Sequence, residues 1–255
     1  MENKSHDTVV KNQFSPRAEA YVTSAVHAQG EDLEHLAALV GVRPKARMLD
    51  LGCGGGHVAF RLAPYADQVT ACDISEGMLR TVAAEAEKRG LCNIVTRQGA
   101  AQSLPFADET FDVVASRYSA HHWRDLPGCL RQARRVLKEG GLAVFMDTVA
   151  PDAALMDTYL QAIELLRDPS HVRDYSVGEW LRAAEEAGFQ PRAVARRRVR
   201  LDFSSWVARM RTPDLHVQAI RSLLALMPEE VVEHFEVTED GSFTVDTMTL
   251  EATRP

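Results

Sequence analysis

Cysteine is scarce in this 255-residue chain. There are four, Cys53, Cys72, Cys92 and Cys129, and no Cys-x-x-Cys pair among them. That argues against a disulfide framework and against the familiar zinc spacings, and predicts free thiols in a reducing cytosol. Positive charge is also short: Lys plus Arg number 29 against 36 Asp plus Glu, a net charge of −7 and a pI near 5.7. No global basic field therefore draws the chain to nucleic acid or to an anionic membrane. Long apolar runs are missing, and the longest, Gly141 to Met146 (GLAVFM), is far too short to span a bilayer. The first stretch, MENKSHDTVVKNQ, has no apolar h-region and does not read as a secretory signal. Repeats and low-complexity tracts are absent as well. These absences predict a cytoplasmic protein with no membrane partner and no nucleic-acid partner. They leave its oligomeric state open.

What is present is an alternating pattern. At 45% hydrophobic the chain can bury a full core, as one domain or as a core with elaborations. Short apolar runs predict strands at 46–51 (ARMLDL), 68–74 (QVTACDI), 93–99 (NIVTRQG), 111–117 (FDVVASR) and 141–148 (GLAVFMDT). Between them lie helical periods: HVAFRLAPY, then SEGMLRTVAAEAEKRG with Ser75 as N-cap and Gly90 as its end, then 125–138 stopping at Gly140-Gly141. Strands alternating with helices predict parallel βαβ units, an α/β, Rossmann-like doubly wound sheet. Residues 1–40 read as polar chain and then a helical lid, with Phe14, Tyr21 and Val22 as apolar anchors. Residues 150–190 read as helical, broken at Asp168-Pro169. A strand at RAVARRRVRLDF and a last strand at SFTVDTMTLEA predict a terminal antiparallel hairpin interrupted by short helices. The expected organisation is a single domain over 1–255, with a cofactor-binding core at 41–150 and a helical insertion plus hairpin at 151–255.

Ligands of such sheets lie beyond the carboxyl ends of the strands. One such end carries LDLGCGGGH, residues 49–57. Read from Gly52 it is GxGxxH, and read from Gly54 it is GxGxxA, so the dinucleotide pattern alone decides nothing. Asp50 weighs more. A carboxylate beside the loop opposes a pyrophosphate, whereas it favours the ammonium and sulfonium of S-adenosylmethionine; ordering of the loop is its other reading. Asp73 lies 21 positions after Gly52, near the spacing at which an acid meets ribose hydroxyls, with helix capping as the alternative. Ile74 and Met78 then offer an apolar wall for adenine, or are core.

Four stretches, MLDLGCGGGHVAFRLA, VTACDISEGML, QGAAQSLPFADETFDVVASRYSAHHWRD and RQARRVLKEGGLAVFMD, resemble the class I S-adenosylmethionine-dependent methyltransferases. They are similar in particular to the ubiquinone/menaquinone-biosynthesis branch, in order and spacing. RDPSHVRDY and AEEAGF also look like small bacterial members of unassigned substrate. The resemblance implies that Asp50, Gly52, Cys53, Gly54, Gly56 and His57 cradle the methionine end and that Asp73 holds the ribose. It places adenine at Ala100 and Ala101, and adds Ser116 and Arg117 at the end of the fourth strand. The family commonly has an Asp where Ala100 stands, accepting from the adenine amino group. Here that bond falls to Gln102, backbone or water, or is absent.

Methyl transfer from a sulfonium is an in-line displacement, so the protein supplies alignment and, where the acceptor loses a proton, a base. In SRYSAHHW the first candidate is His121, an imidazole suited to proton transfer near neutrality, with packing as the competing reading. His122 reads as a structural histidine, and no metal site is expected. Tyr21, Tyr118, His171 and Arg173 are the candidate acceptor-binding residues; His27, beside Tyr21 on the N-terminal helix, is a candidate to close over the cofactor. The run Arg196 to Arg198 with Arg200 reads as an exposed edge that discourages sheet pairing. The expected function is methylation of a small-molecule acceptor. A non-catalytic S-adenosylmethionine-binding protein and an NAD-linked oxidoreductase are the alternatives. No Asn-Pro-Pro-type motif follows the fourth strand, where SRYS stands, which counts against nucleobase methylation.

Overall fold

The computed structural model describes residues 5–18, 30–41 and 45–255. In chain order its elements are α1 (His6–Phe14), α2 (Glu31–Gly41), β1 (Ala46–Leu51), α3 (His57–Leu62), β2 (Ala66–Asp73), α4 (Glu76–Lys88), β3 (Ile94–Gln98) and β4 (Phe111–Arg117). There follow α5 (Leu126–Val136), β5 (Leu137–Val149), α6 (Ala154–Arg167), α7 (Val177–Glu186), β6 (Gln190–Leu201), α8 (Phe203–Met210), α9 (Asp214–Ala225), α10 (Glu229–Phe235) and β7 (Phe243–Thr253).

Seven strands form one sheet in the order β3-β2-β1-β4-β5-β7-β6. The first five pair in parallel, and β7 runs antiparallel to both β5 and β6. Strand β1 is apolar on both faces because both are covered: Met48 and Leu49 point opposite ways and both are fully buried. One face packs on α5 and α7 through Leu130, Ala133, Trp180 and Ala184. The other packs on α2, α3 and α4 through Leu36, Val40, Ala59 and Val82. A third apolar cluster joins α6, α8, α9 and α10 to Phe243 and Val245 of β7. The expected α/β architecture with a terminal antiparallel pair is what the chain adopts.

Two boundaries differ from the sequence expectation. Gly140-Gly141 does not stop a helix: α5 ends at Val136 and the chain enters β5 at once, where the glycines sit in a register shift opposite Phe111–Val113. The first helix starts at His6, because Ser5 accepts from Thr8 N and Asp7 lies in the first turn, favourable features at a helix N-terminus. The arginines of β6 do lie on an edge strand, yet they do more than guard it. Arg198 donates to His234 O and to Glu236 Oε1 (2.7 Å), and Arg200 to Glu236 O (2.6 Å), so both hold the carboxyl end of α10. Among the described residues no helix is long and apolar enough to cross a membrane.

Candidate active site

The carboxyl ends of β1, β2, β3 and β4 open on one cleft, and α1 lies along its rim. Its lining includes Asp50, Gly52, Gly54, Asp73, Ile74, Met78, Ala100 and Ala101 from the sheet side, and Asp7, Val10 and Phe14 from α1. Topology explains the position: β1 has β2 on one side and β4 on the other, so the chain's direction of winding reverses here and leaves a crevice. Asp73 ends β2 with each carboxylate oxygen on a backbone amide, Oδ2 on Gly54 N (2.9 Å) and Oδ1 on Ser75 N (2.8 Å). Asp50 accepts from Ala59 N (2.9 Å) with Oδ2 and is 1% exposed. Burial pushes its carboxyl up to about 7, with the like charge of Asp73 adding to the shift and the Ala59 amide opposing it. Burial likewise raises Asp73.

A second cavity, about 830 Å³, lies beside the first. Phe14, Arg117, Tyr118 and His122 line both. Beyond that shared wall it is lined by His121, Thr148, Glu164, Asp174, Trp206 and arginines of β6. His121 Nδ1 meets Asp147 Oδ1 at 2.7 Å, and Asp147 also accepts from the amides of Ala120 and Thr148. Burial alone would discharge His121, but the Asp147 carboxylate overrides it and holds the imidazole at about 9. Its neighbour behaves oppositely. His122 Nδ1 meets Ser170 O at 3.1 Å, and burial with the adjacent His121 charge lowers it to about 4. Tyr118, between the cavities, holds a left-handed backbone (φ 49°), an uncommon state for a bulky residue and one concentrated at functional sites.

Comparison with known proteins converges on this geometry. The Methyltransferase domain family matches residues 49–145. YafE of Escherichia coli is 47% identical over 201 residues, which cover 79% of this chain and 97% of YafE. The methyltransferase YcgJ of Bacillus subtilis is 34% identical over 227 residues, 88% of this chain and 89% of its own. The crystal structure of YcgJ matches with a TM-score of 0.85 over 88% of this chain and 98% of that one, at 29% identity. The chain belongs to the class I S-adenosylmethionine-dependent methyltransferases. The quinone branch is represented among its relatives by the 2-phytyl-1,4-naphthoquinone methyltransferase of Synechococcus elongatus, 35% identical over 123 residues, 47% of this chain and 53% of that protein.

The cleft of this methyltransferase suits its cofactor, S-adenosylmethionine. A Cβ on Gly54 (φ 46°) would meet no atom within 4 Å, so this position faces open space and leaves the backbone bare to a ligand. Asp73, acceptor-only and fixed from behind by two amides, keeps lone pairs for hydroxyls. Asp50 is a carboxyl that a neighbouring cation would ionise.

Several sequence-predicted residues are brought together in the cleft: Asp50, Gly52, Cys53, Gly54, His57, Asp73, Ile74, Met78, Ala100, Ala101 and Arg117. Gly56 and Ser116 are not. Gly56 (φ 80°) precedes α3, and its added Cβ would sit 2.9 Å from Val82 Cγ2, so it serves the packing of α3 on α4. Ser116 is buried on the opposite face of β4 from Arg117, as strand alternation requires. Arg117 makes a two-point ion pair with Asp32 of α2 (2.5 and 3.1 Å) and lies over the Tyr118 ring. Of the acceptor candidates, Tyr118 lines the second cavity; Tyr21, like His27, lies outside the described residues. His171 Nε2 is engaged by Gln161 Oε1 (2.8 Å), and Arg173 is tied to Asp157 (3.0 Å) and Glu179 (3.3 Å), and neither lines the cavity.

Sequence reasoning missed Asp147, Asp174 and Asp32. Asp147 had the same signal as Asp73, a carboxylate at the carboxyl end of an apolar run. Asp174 had none, since a loop after α6 carries it to His121. Potential ligand atoms of His121, Asp147 and Asp174 lie within 4.8 Å of one another, a grouping that spacing in the sequence could not show. Burial, then the nearby Glu164, pushes the Asp174 carboxyl well above the ordinary carboxylate range.

Proposed function

We propose that this methyltransferase acts on a small-molecule acceptor held in the second cavity, across the shared wall from its cofactor. The observation that carries the reading is that wall: Phe14, Arg117, Tyr118 and His122 face both spaces. A volume of about 830 Å³ is in the range of small-molecule sites. The cofactor, when bound, supplies an activated methyl group. In the first cleft Asp73 accepts from the ribose hydroxyls, Ile74 and Met78 flank the adenine, and Asp50 with the glycine loop favours the cationic methionine end. Within the N-terminal segment α1 serves as a lid over the core at 41–150, and residues 151–255 contribute to the acceptor side.

In the second cavity His121 takes the acceptor's proton or fixes its orientation, and Asp147 holds the imidazole. The Asp147 charge keeps His121 protonated at neutral pH, in place of the near-neutral imidazole that its sequence context suggested. Proton acceptance therefore belongs to the fraction that has lost its own proton, and turnover rises as pH climbs toward about 9. The experiment is turnover with methyl-labelled S-adenosylmethionine against a metabolite extract, reading which product gains the label. Label in low-molecular-mass product supports the reading. Label confined to protein or nucleic acid would overturn it.

A further inference from the structure

The end of the cleft beyond β2 contains an acceptor that sequence position does not suggest. Past Asp73 the cleft wall continues on the next strand outward, β3, into Gly99, Ala100, Ala101 and Gln102, where the family resemblance puts adenine. A purine amino group there needs an acceptor, and the methyl groups of Ala100 and Ala101 offer none. Opposite them stands Asp7 of α1. It lines the same cleft, its carboxylate oxygens lie 3.2 and 3.4 Å from Gln102 Nε2, and Arg124 Nη2 approaches Oδ1 at 3.4 Å. The helix that carries it is fastened at both ends. His6 Nε2 meets His122 O at 3.1 Å, Phe14 packs edge-on against the His122 ring at 5.0 Å, and Ser15 Oγ meets Ser75 Oγ at 2.8 Å.

We propose that Asp7 accepts a hydrogen bond from the exocyclic amino group of the cofactor's adenine, supplying from α1 what the end of β3 lacks. A carboxylate has about four acceptor sites, and Gln102 and Arg124 leave room for another donor. Gln102 is the orienting partner: its amide donates to Asp7 and holds the carboxylate toward the ring. The inference rests on the cleft being the cofactor site. It also gives α1 a double role, since Phe14 of the same helix lines the acceptor cavity.

The test is calorimetric titration of the full chain with S-adenosylhomocysteine and with S-inosylhomocysteine, in which a 6-oxo group replaces the 6-amino group. The readout is the ratio of the two dissociation constants. Wild type is expected to prefer the adenine compound by tenfold or more, a difference of about 1.4 kcal/mol per factor of ten. Asp7→Asn, whose amide can donate to the oxo group, is expected to bring the two within about threefold or to reverse the order. Asp7→Ala should weaken the adenine compound more than the inosine compound. If both variants keep the wild-type ratio, Asp7 does not read the amino group, even if both affinities fall together because α1 has come loose. If only Gln102→Ala abolishes the preference, the acceptor is Gln102 and the proposal fails. Absence of binding of either compound to the wild type would instead overturn the cofactor site itself.

Discussion

The cofactor cleft is centred on backbone and carboxylates at successive strand ends, with longer side chains such as Arg117 and Trp123 around them. The cavity beside it is made of long charged side chains from α2, α6, β6 and α8 that meet only after folding. In the first, each key group is one residue at a strand's carboxyl end: Asp50 on β1, Asp73 on β2, Arg117 on β4. In the second, the central group is a pair, His121 with Asp147, whose members are 26 positions apart. A backbone-built site tolerates little change within a short stretch of sequence. A side-chain-built site can be reshaped by single substitutions without touching the sheet. The two halves should therefore fail differently when perturbed.

The largest expected effect is on the backbone-built side. Asp73→Ala removes an acceptor of ribose hydroxyls and also the partner of the Gly54 and Ser75 amides. Charge-assisted bonds are each worth roughly 1.5–3 kcal/mol, so cofactor affinity should fall by about a hundredfold or more. Titration with S-adenosylhomocysteine measures this, with circular dichroism to show that the fold persists. An unchanged dissociation constant would reduce Asp73 to a residue that orders the start of α4.

On the side-chain-built side, His121→Gln should lower kcat by about 10²-fold, the lower end of general-base contributions. Cofactor affinity should stay within about twofold, because His121 lines the second cavity and not the first. Asp147→Asn should move the pH profile as well. With Asp147 charged, the alkaline rise in turnover centres near 9; without it, burial dominates and the rise shifts to lower pH. The same pair contributes stability that is complete below the ordinary histidine value and is lost as pH rises through about 9. A profile indifferent to Asp147 would separate it from the chemistry.

These contrasts also explain what was legible in the sequence. The glycine loop, Asp50 and Asp73 could be read because helix, strand and loop signals coincide within 25 residues (49–73). The hairpin could be read because RAVARRRVRLDF and SFTVDTMTLEA each look like strands on their own. Ser116 lies off the cleft because the sheet's pleat turns it away, and Gly56 because it packs against Val82; a packing glycine and a ligand-facing glycine look alike in a string of three. The acceptor candidates fared worst. His171 and Arg173 are beside His121 in space but are turned to Gln161, Asp157 and Glu179, and nothing local announces those partners. Asp7 was invisible for a similar reason: the side chain it meets, Gln102, is 95 positions later.

A smaller effect tests whether Asp50 faces a cation. Its carboxyl, raised to about 7 by burial, binds a proton more tightly in the folded chain than in the unfolded one. Its ionisation therefore erodes stability as pH rises from about 4 toward 7. A bound ammonium or sulfonium favours the ionised form and reverses that cost. Affinity for S-adenosylmethionine should thus be about tenfold greater at pH 8 than at pH 6, because about one-tenth of the carboxyl is ionised at the lower pH. Binding at pH 6 should release a proton, visible as a buffer-dependent calorimetric enthalpy. Asp50→Asn should abolish both signatures; if they persist in that variant, the carboxyl only orders the first turn of α3 through Ala59.

The smallest expected effect is at Arg173, where the sequence pointed to an acceptor ligand and the structure shows a brace. Its guanidinium bridges Asp157 of α6 and Glu179 of α7, with about a third of the side chain exposed. Ion pairs of that exposure contribute roughly 0–1 kcal/mol, so Arg173→Gln should shift the melting temperature by only a few degrees. The acceptor KM should stay within about twofold, since the guanidinium does not line the second cavity. Once labelled turnover has identified an acceptor, steady-state kinetics on this variant beside His121→Gln provides the check. A large rise in KM with kcat preserved would mean that Arg173 leaves Asp157 and Glu179 to meet the acceptor. The acceptor side would then be shaped by rearrangement on binding, unlike the cofactor cleft, whose carboxylates are already fixed by amides.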